Sequence, residues 1–240
     1  MTDLTGKTAL ISGSARGIGK AIALRYAQLG ANIVLNYPAN AAGAEQALAK
    51  VREHGVEGIA VQADISKPAD VDRLYAEATK QFGSLDIIVA NAGVELPGVP
   101  IVELSDEQID RLVDINVRGA FMTMQRASKN VADNGRVIFI SSSSTVAPVA
   151  GMAIYASTKL AGRYFAGVLA IELAGRGVTV NCILPTAIDE AGVFVDSIPA
   201  DSPYRDQLAT GRIGTRIGTP GASPTPPSTS SATSRPGSAA

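Results

Sequence analysis

Short apolar runs rich in β-branched residues alternate along this chain with stretches in which apolar residues recur every three or four positions. The first pattern predicts strands and the second amphipathic helices. Strands are expected at Thr8 to Ser12, Ile33 to Asn36, Gly58 to Gln62, Asp86 to Ala90, Gly135 to Ser141 and Val178 to Ile183. Helices are expected at Lys20 to Leu29, Ala41 to His54, Pro68 to Phe82, Ser105 to Ser128 and Ala153 to Leu173. Gly30, Gly55 and Gly83 supply stop signals, and Ser105 with Gln108 three residues on reads as a capping box. The strands are apolar on both faces, as in a parallel sheet covered on both sides. Right-handed crossovers then give an α/β fold. It is a doubly wound parallel sheet with helices on both faces and a ligand crevice at the carboxyl ends of its strands.

Composition narrows this further. The 240 residues are 46% hydrophobic and 18% charged, which suits a compact globular domain able to bury its core without disulfides or metals. The net charge of -1 offers no basic excess for nucleic acid or an anionic membrane. Cys182 is the single cysteine, so no internal disulfide framework exists. His54, the only histidine, falls at the end of an expected surface helix and reads as a solvated side chain. A histidine-based hydrolase or metal site is therefore not expected. No apolar run is long enough to span a bilayer and no secretory signal precedes the first strand, so a cytoplasmic protein is expected. Thr219 to Ala240 is nearly all Pro, Ser, Thr, Gly and Ala, which predicts a disordered tail after a domain of residues 1–218.

The chemistry sits where expected strands end. The first runs into Gly13-Ser14-Ala15-Arg16-Gly17-Ile18-Gly19. Glycines there let the backbone turn tightly and bring helix N–H groups up to a diphosphate. Asn91-Ala92-Gly93 follows the fourth strand as a small, polar loop facing the same crevice. Tyr155 and Lys159, four residues apart, share one face of the last long helix. An ammonium beside a phenol lowers the phenol's pKa and makes it usable as an acid or base. Ser142 lies thirteen positions before Tyr155, at the end of the fifth strand.

Taken in order, Gly13…Gly17-Ile18-Gly19, Asp64, Asn91-Ala92-Gly93, Asn116, Ser142, Tyr155…Lys159 and Pro185 resemble the classical short-chain dehydrogenase/reductases over about residues 1–218. The resemblance implies a Rossmann-type fold and an NAD(P)-dependent oxidoreductase interconverting a carbonyl and a secondary alcohol. Tyr155 would be the acid/base and Ser142 would hold the substrate oxygen. Lys159 would tune Tyr155 and hold the nicotinamide ribose, and Asn116 would anchor a water relay. Ser141, Ser143 and Ser144 compete with Ser142, which the spacing favours. Gly13, Ser14, Arg16, Gly17, Ile18, Gly19, Asn36, Asp64, Ile65, Asn91, Ala92, Gly93, Pro185 and Ile188 would line the cofactor, with Tyr155 and Lys159. The second strand ends Leu35-Asn36-Tyr37 without a carboxylate, and Arg16 sits in the glycine loop; both favour NADP(H) over NAD(H). A ketoacyl thioester, a polyketide or aromatic ketone, a sugar and a steroid all suit the pattern as substrates. A homo-oligomer is implied.

The chain departs from the family twice. The usual glycine after Pro185 is Thr186, and the usual loop threonine is Glu190, which unsettles the nicotinamide-side contacts. Ala191 to Leu208 would form the substrate lid. After Gly214 to Pro220 the family continues with a helix and a seventh strand, where this chain has its low-complexity tail. A one-base frameshift accounts for this: with GC-rich codons the shifted frame reads like the missing C-terminus, and the coding DNA decides it. A tail as written would leave the sixth strand as an edge, weaken the oligomer and lower stability. That supports an alternative reading, a cofactor-binding but inactive or unstable protein.

Overall fold

A computed structural model describes residues 3–189, 191–192, 201–203, 205 and 217–219. Six strands form one parallel sheet: β1 (Thr8–Ile11), β2 (Asn32–Tyr37), β3 (Gly58–Gln62), β4 (Leu85–Ala90), β5 (Val131–Ile140) and β6 (Thr179–Ile183). Their order is β3-β2-β1-β4-β5-β6. The order reverses between β1 and β4, which opens a crevice beyond the carboxyl ends of those two strands. Among the described residues β6 is an edge, and its Ile183 is 48% exposed.

The two-residue period of the strands divides the core. Leu10, Val34, Val61, Ile88, Val137 and Phe139 point to one face. There they meet α3 (Pro68–Phe82), α5 (Ala120–Asn130) and α6 (Ala153–Leu173). Ala9, Ile11, Ile33, Leu35 and Val89 point to the other, against α1 (Gly17–Gln28) and α2 (Ala41–Arg52). The fully buried side chains are almost all aliphatic, as a sheet sandwiched between helices requires. No helix among the described residues is long and apolar enough to cross a membrane.

Two elements differ from the sequence expectation. The continuous helix expected from Ser105 to Ser128 is interrupted. The Ser105/Gln108 capping box does start α4 (Asp106–Leu112), but a π-helical turn over Val113–Gly119 separates it from α5. A π turn accommodates one extra residue per turn and so rotates the side chains after it; apolar spacing alone does not reveal that. The fifth strand begins at Val131 and carries an irregularity against β4, with Asn134 in the left-handed region at φ 62°. Asparagine tolerates that conformation better than most residues. The expected tail lies outside the described residues from 220 on, as do Glu190 and most of the expected lid.

Candidate active site

The crevice at the head of the sheet holds about 810 Å³ and is lined by the β1–α1 loop, the ends of β2 and β3, the Asn91–Pro97 loop and the residues after β5 and β6. Its floor is set by close approach of backbone. Gly13 has φ +64°, and a Cβ there would lie 2.9 Å from Ala92 Cα. Only glycine permits both. Gly13, Arg16, Gly17, Ile18 and Gly19 all reach the crevice surface.

Ser14 does not. It is fully buried beneath the loop, where its hydroxyl donates to the Ile11 carbonyl (2.8 Å) and accepts from Asn36 N–H (3.1 Å). The cofactor contact expected of Ser14 is thus replaced by a bracing role, because the turn at Gly13 aims its side chain into the core. Asn36 reaches the crevice, but its amide is committed to protein: Oδ1 accepts from Gly13 N–H (3.1 Å) and Nδ2 donates to the Ala63 carbonyl (2.9 Å). Both residues shape the cradle and tie it to β2 and β3.

Asp64 and Ile65 lie at the β3 end of the crevice. Asp64 Oδ1 accepts from the Ser66 N–H and hydroxyl, at 3.0 and 2.7 Å. Asn91 Nδ2 donates to the Ser12 and Gly13 carbonyls, fixing β4's exit to the glycine loop. Ser12, at the end of β1, carries no sequence signal of its own. Its buried hydroxyl accepts from Asn91 and Ala92 N–H, each at 3.0 Å, and so clamps β1 to that exit. Only the pairing of β1 with β4 brings the two together.

Tyr155 and Lys159 project from the first turns of α6. Both are buried, and the ammonium lies 6.0 Å from the tyrosine ring centre. Lys159 Nζ donates to the Ile140 carbonyl at 3.0 Å. A Cβ on Gly93 would fall 2.9 Å from that Nζ, so a larger residue would displace the ammonium. Burial lowers the Lys159 pKa to about 8, against the opposing charge of Glu95. The expectation of a lowered Tyr155 pKa is not met in this arrangement. Burial drives it well above its ordinary value, and the Glu95 carboxylate raises it further. Ser142 opposes that rise through a hydrogen bond to the phenol.

Geometry sorts the four serines. Ser141 is buried, its hydroxyl aimed at the Lys159 carbonyl 3.2 Å away. Ser142 faces the crevice and Tyr155, while its oxygen accepts from the Ser144 N–H and hydroxyl at 3.2 and 2.9 Å. With its acceptor side occupied, the Ser142 hydroxyl is oriented to donate. Ser143 N–H donates to the Pro185 carbonyl, joining this turn to the segment after β6. Pro185, Thr186, Ala187 and Ile188 follow along the crevice wall. Asp189 instead forms an ion pair with Arg205.

Asn116 stands in the π turn, nearly inaccessible. Its Oδ1 accepts from Val94 N–H (2.8 Å), and its Nδ2 donates to the Val94 carbonyl (2.8 Å) and Thr158 hydroxyl (3.1 Å). The side chain fastens the Asn91–Val94 loop to α6 beside Tyr155. His54 lies on the surface just past α2, remote from all of this.

A backbone cradle where a Cβ would collide, at the switch point of a parallel sheet, fits a dinucleotide diphosphate. A buried Tyr155–Lys159 pair beside it, with half-buried Ser142 against the phenol, points to a dinucleotide-linked oxidoreductase. Comparisons with known proteins agree. The short chain dehydrogenase family profile matches residues 7–198. The chain is 37% identical over 186 residues to a hydroxynaphthalene reductase-like protein, Arp2, of Metarhizium brunneum, covering 77% of this chain and 69% of the relative. A Burkholderia cenocepacia short chain dehydrogenase, solved in complex with NADP, superposes with TM-score 0.84 at 34% identity, over 91% of this chain and 87% of that one. LugOII, a promiscuous reductase catalysing keto-reduction in lugdunomycin biosynthesis, superposes with TM-score 0.83 at 35% identity and the same coverage. The chain belongs to the short-chain dehydrogenase family and is an NAD(P)-dependent oxidoreductase.

Proposed function

We propose that the protein is an NADP(H)-dependent ketone reductase, or alcohol dehydrogenase in reverse, with Tyr155 as the proton donor and acceptor. The observation that carries this is the convergence of Ser142 and Tyr155 on one point of the crevice wall, with Lys159 behind them. A substrate carbonyl oxygen at that point accepts from both hydroxyls. Tyr155 releases its proton to the oxygen as negative charge develops there, and Ser142 stabilises the charge by its hydrogen bond. Lys159 supplies a buried positive charge that favours the phenolate left behind, and it would hold the ribose on the nicotinamide side. Asn116 would anchor the water relay that returns a proton. When bound, the nicotinamide supplies or accepts the hydride.

NADP(H) is favoured over NAD(H) by two features. Arg16 lines the crevice at the start of α1, and the end of β2 presents Asn36 and Tyr37 without a carboxylate. The NADP complex of the Burkholderia neighbour supports the same choice. Relatives named for hydroxynaphthalene reduction and keto-reduction support an aromatic or polyketide ketone as substrate. A small-molecule partner, a homo-oligomer and a cytoplasmic location complete the reading. Tyr155→Phe should abolish ketone-dependent NADPH oxidation while NADPH binding, followed by its fluorescence, stays nearly intact. Retained turnover refutes the proton donor, and a preference for NADH refutes the cofactor choice.

A further inference from the structure

Arg163 has no part in the roles assigned so far. It continues the four-residue series of Tyr155 and Lys159 along α6, one helical turn further on. Its guanidinium reaches from the helix to the short 3-10 turn Ser143–Thr145. There Nη1 donates to the Thr145 hydroxyl oxygen at 2.9 Å and to the Thr145 carbonyl at 3.3 Å. The Thr145 hydroxyl has one proton, and it donates that proton to the Ser142 carbonyl at 2.7 Å. The Thr145 N–H meets the same carbonyl at 3.2 Å. A continuous line of hydrogen bonds thus runs from α6 through Thr145 to the backbone of Ser142.

The turn needs such a tie. None of its three residues is buried, and the five that follow, Val146 to Ala150, are all exposed. Packing contributes little there, so hydrogen bonds carry its order. That order matters to Ser142. The Ser144 N–H and hydroxyl occupy the acceptor side of Ser142 Oγ only while residues 142–145 stay folded on themselves. Arg163 fastens this fold to the 21-residue helix that also carries Tyr155. One element therefore sets both hydroxyls. A guanidinium stays charged at any working pH, and a charged donor bonds more strongly than a neutral one. Neither Arg163 nor Thr145 lines the crevice, so both reach the reaction through Ser142 and not by touching substrate.

We propose that Arg163 is a positioning residue for the reduction: acting through Thr145, it holds the Ser142 hydroxyl on the substrate oxygen that Tyr155 protonates. This deepens the reading as a ketone reductase and rests on it.

The test measures kcat and KM for reduction of acetophenone, 1-tetralone and butanone by NADPH, with folded sites counted by NADPH fluorescence. Arg163→Met keeps the side-chain stem and removes every donor; Thr145→Val keeps the shape and removes the hydroxyl. Each should lower kcat and kcat/KM by the same factor, about 3- to 10-fold, because the Ser142 bond strengthens only as charge develops on the oxygen. NADPH affinity should not change. Thr145→Ser, which keeps the hydroxyl, should restore the wild-type rate. The double variant Arg163→Met with Thr145→Val should be no slower than the slower single, since both cut one line of bonds. A merely structural role would lower the unfolding midpoint while each folded, NADPH-binding molecule turned over at the wild-type rate. That result, factors that multiply in the double variant, or Thr145→Ser as slow as Thr145→Val overturns the proposal while the reductase reading stands. Wild-type enzyme that binds NADPH yet oxidises it with none of the three ketones removes the reductase reading, and the proposal with it.

Discussion

At the scale of single residues, the crevice wall sets two buried titratable groups against their ordinary behaviour. Lys159 drops from 10.5 to about 8 because it is desolvated, with Glu95 pulling the other way. Between these values the unfolded chain holds a proton that the folded chain has shed. Stability therefore rises with pH across that window, and the part that Lys159 withholds is largest below pH 8. Tyr155, raised above its ordinary value of 10.0, works oppositely only above that pH. Wild type should gain about 2 kcal/mol relative to Lys159→Met between pH 8 and 10, read from urea unfolding at the two pH values. An unchanged difference would show that Lys159 keeps an ordinary pKa. Burial keeps the Tyr155 phenol protonated above its ordinary pKa as well as at neutral pH, the form that the proposed donor role needs.

At the scale of elements, the π turn is the device that joins two helices to one loop. Without the extra residue in that turn, the side chains after it would face elsewhere on the helix surface. As built, Asn116 satisfies both backbone groups of Val94 and reaches Thr158 on α6. Asn116→Ala should cost about 1–2 kcal/mol, since it removes the partner of a half-buried N–H and C=O at Val94. Thermal or chemical unfolding measures the loss. Activity should fall further than stability, because the loop it releases carries Gly93 against Lys159 and Glu95 against Tyr155. A variant with unaltered stability would mean that water replaces all three bonds.

Across the whole molecule, α5 and α6 leave apolar side chains facing outward. Leu160, Tyr164, Val168 and Ile171 recur along α6 at helical spacing, exposed by 51, 75, 39 and 79%, and Phe121 on α5 is 45% exposed. A stripe of this kind on one side of a globular protein marks an association surface. We expect a homodimer through it, with Tyr164→Glu and Ile171→Glu together giving monomers by light scattering; a monomeric wild type would refute that assignment. The sheet edge beside α6 is of another kind among the described residues. β6 alternates exposed and half-buried positions, unlike the buried β1 and β4.

Much of this was legible in the residues themselves. Strand and helix periodicity, glycine stops and a capping box are local signals, and they defined an alternating α/β chain with chemistry at the strand ends. Tyr155 and Lys159, and the glycines of the β1–α1 loop, were visible for the same reason: spacing along one helix or one turn is fixed by covalent geometry; Ser142, outside that helix, stood out through the resemblance to the short-chain dehydrogenases. The tertiary structure alone decided what depends on segments far apart in sequence. It turned Ser14 inward because Asn36, on the next strand, supplies the backbone N–H that its hydroxyl accepts. It set the Ser142 hydroxyl against Tyr155. It placed Glu95 against Tyr155. A carboxylate in a loop has no periodicity to betray it, and its meaning comes from packing that only the closed fold creates.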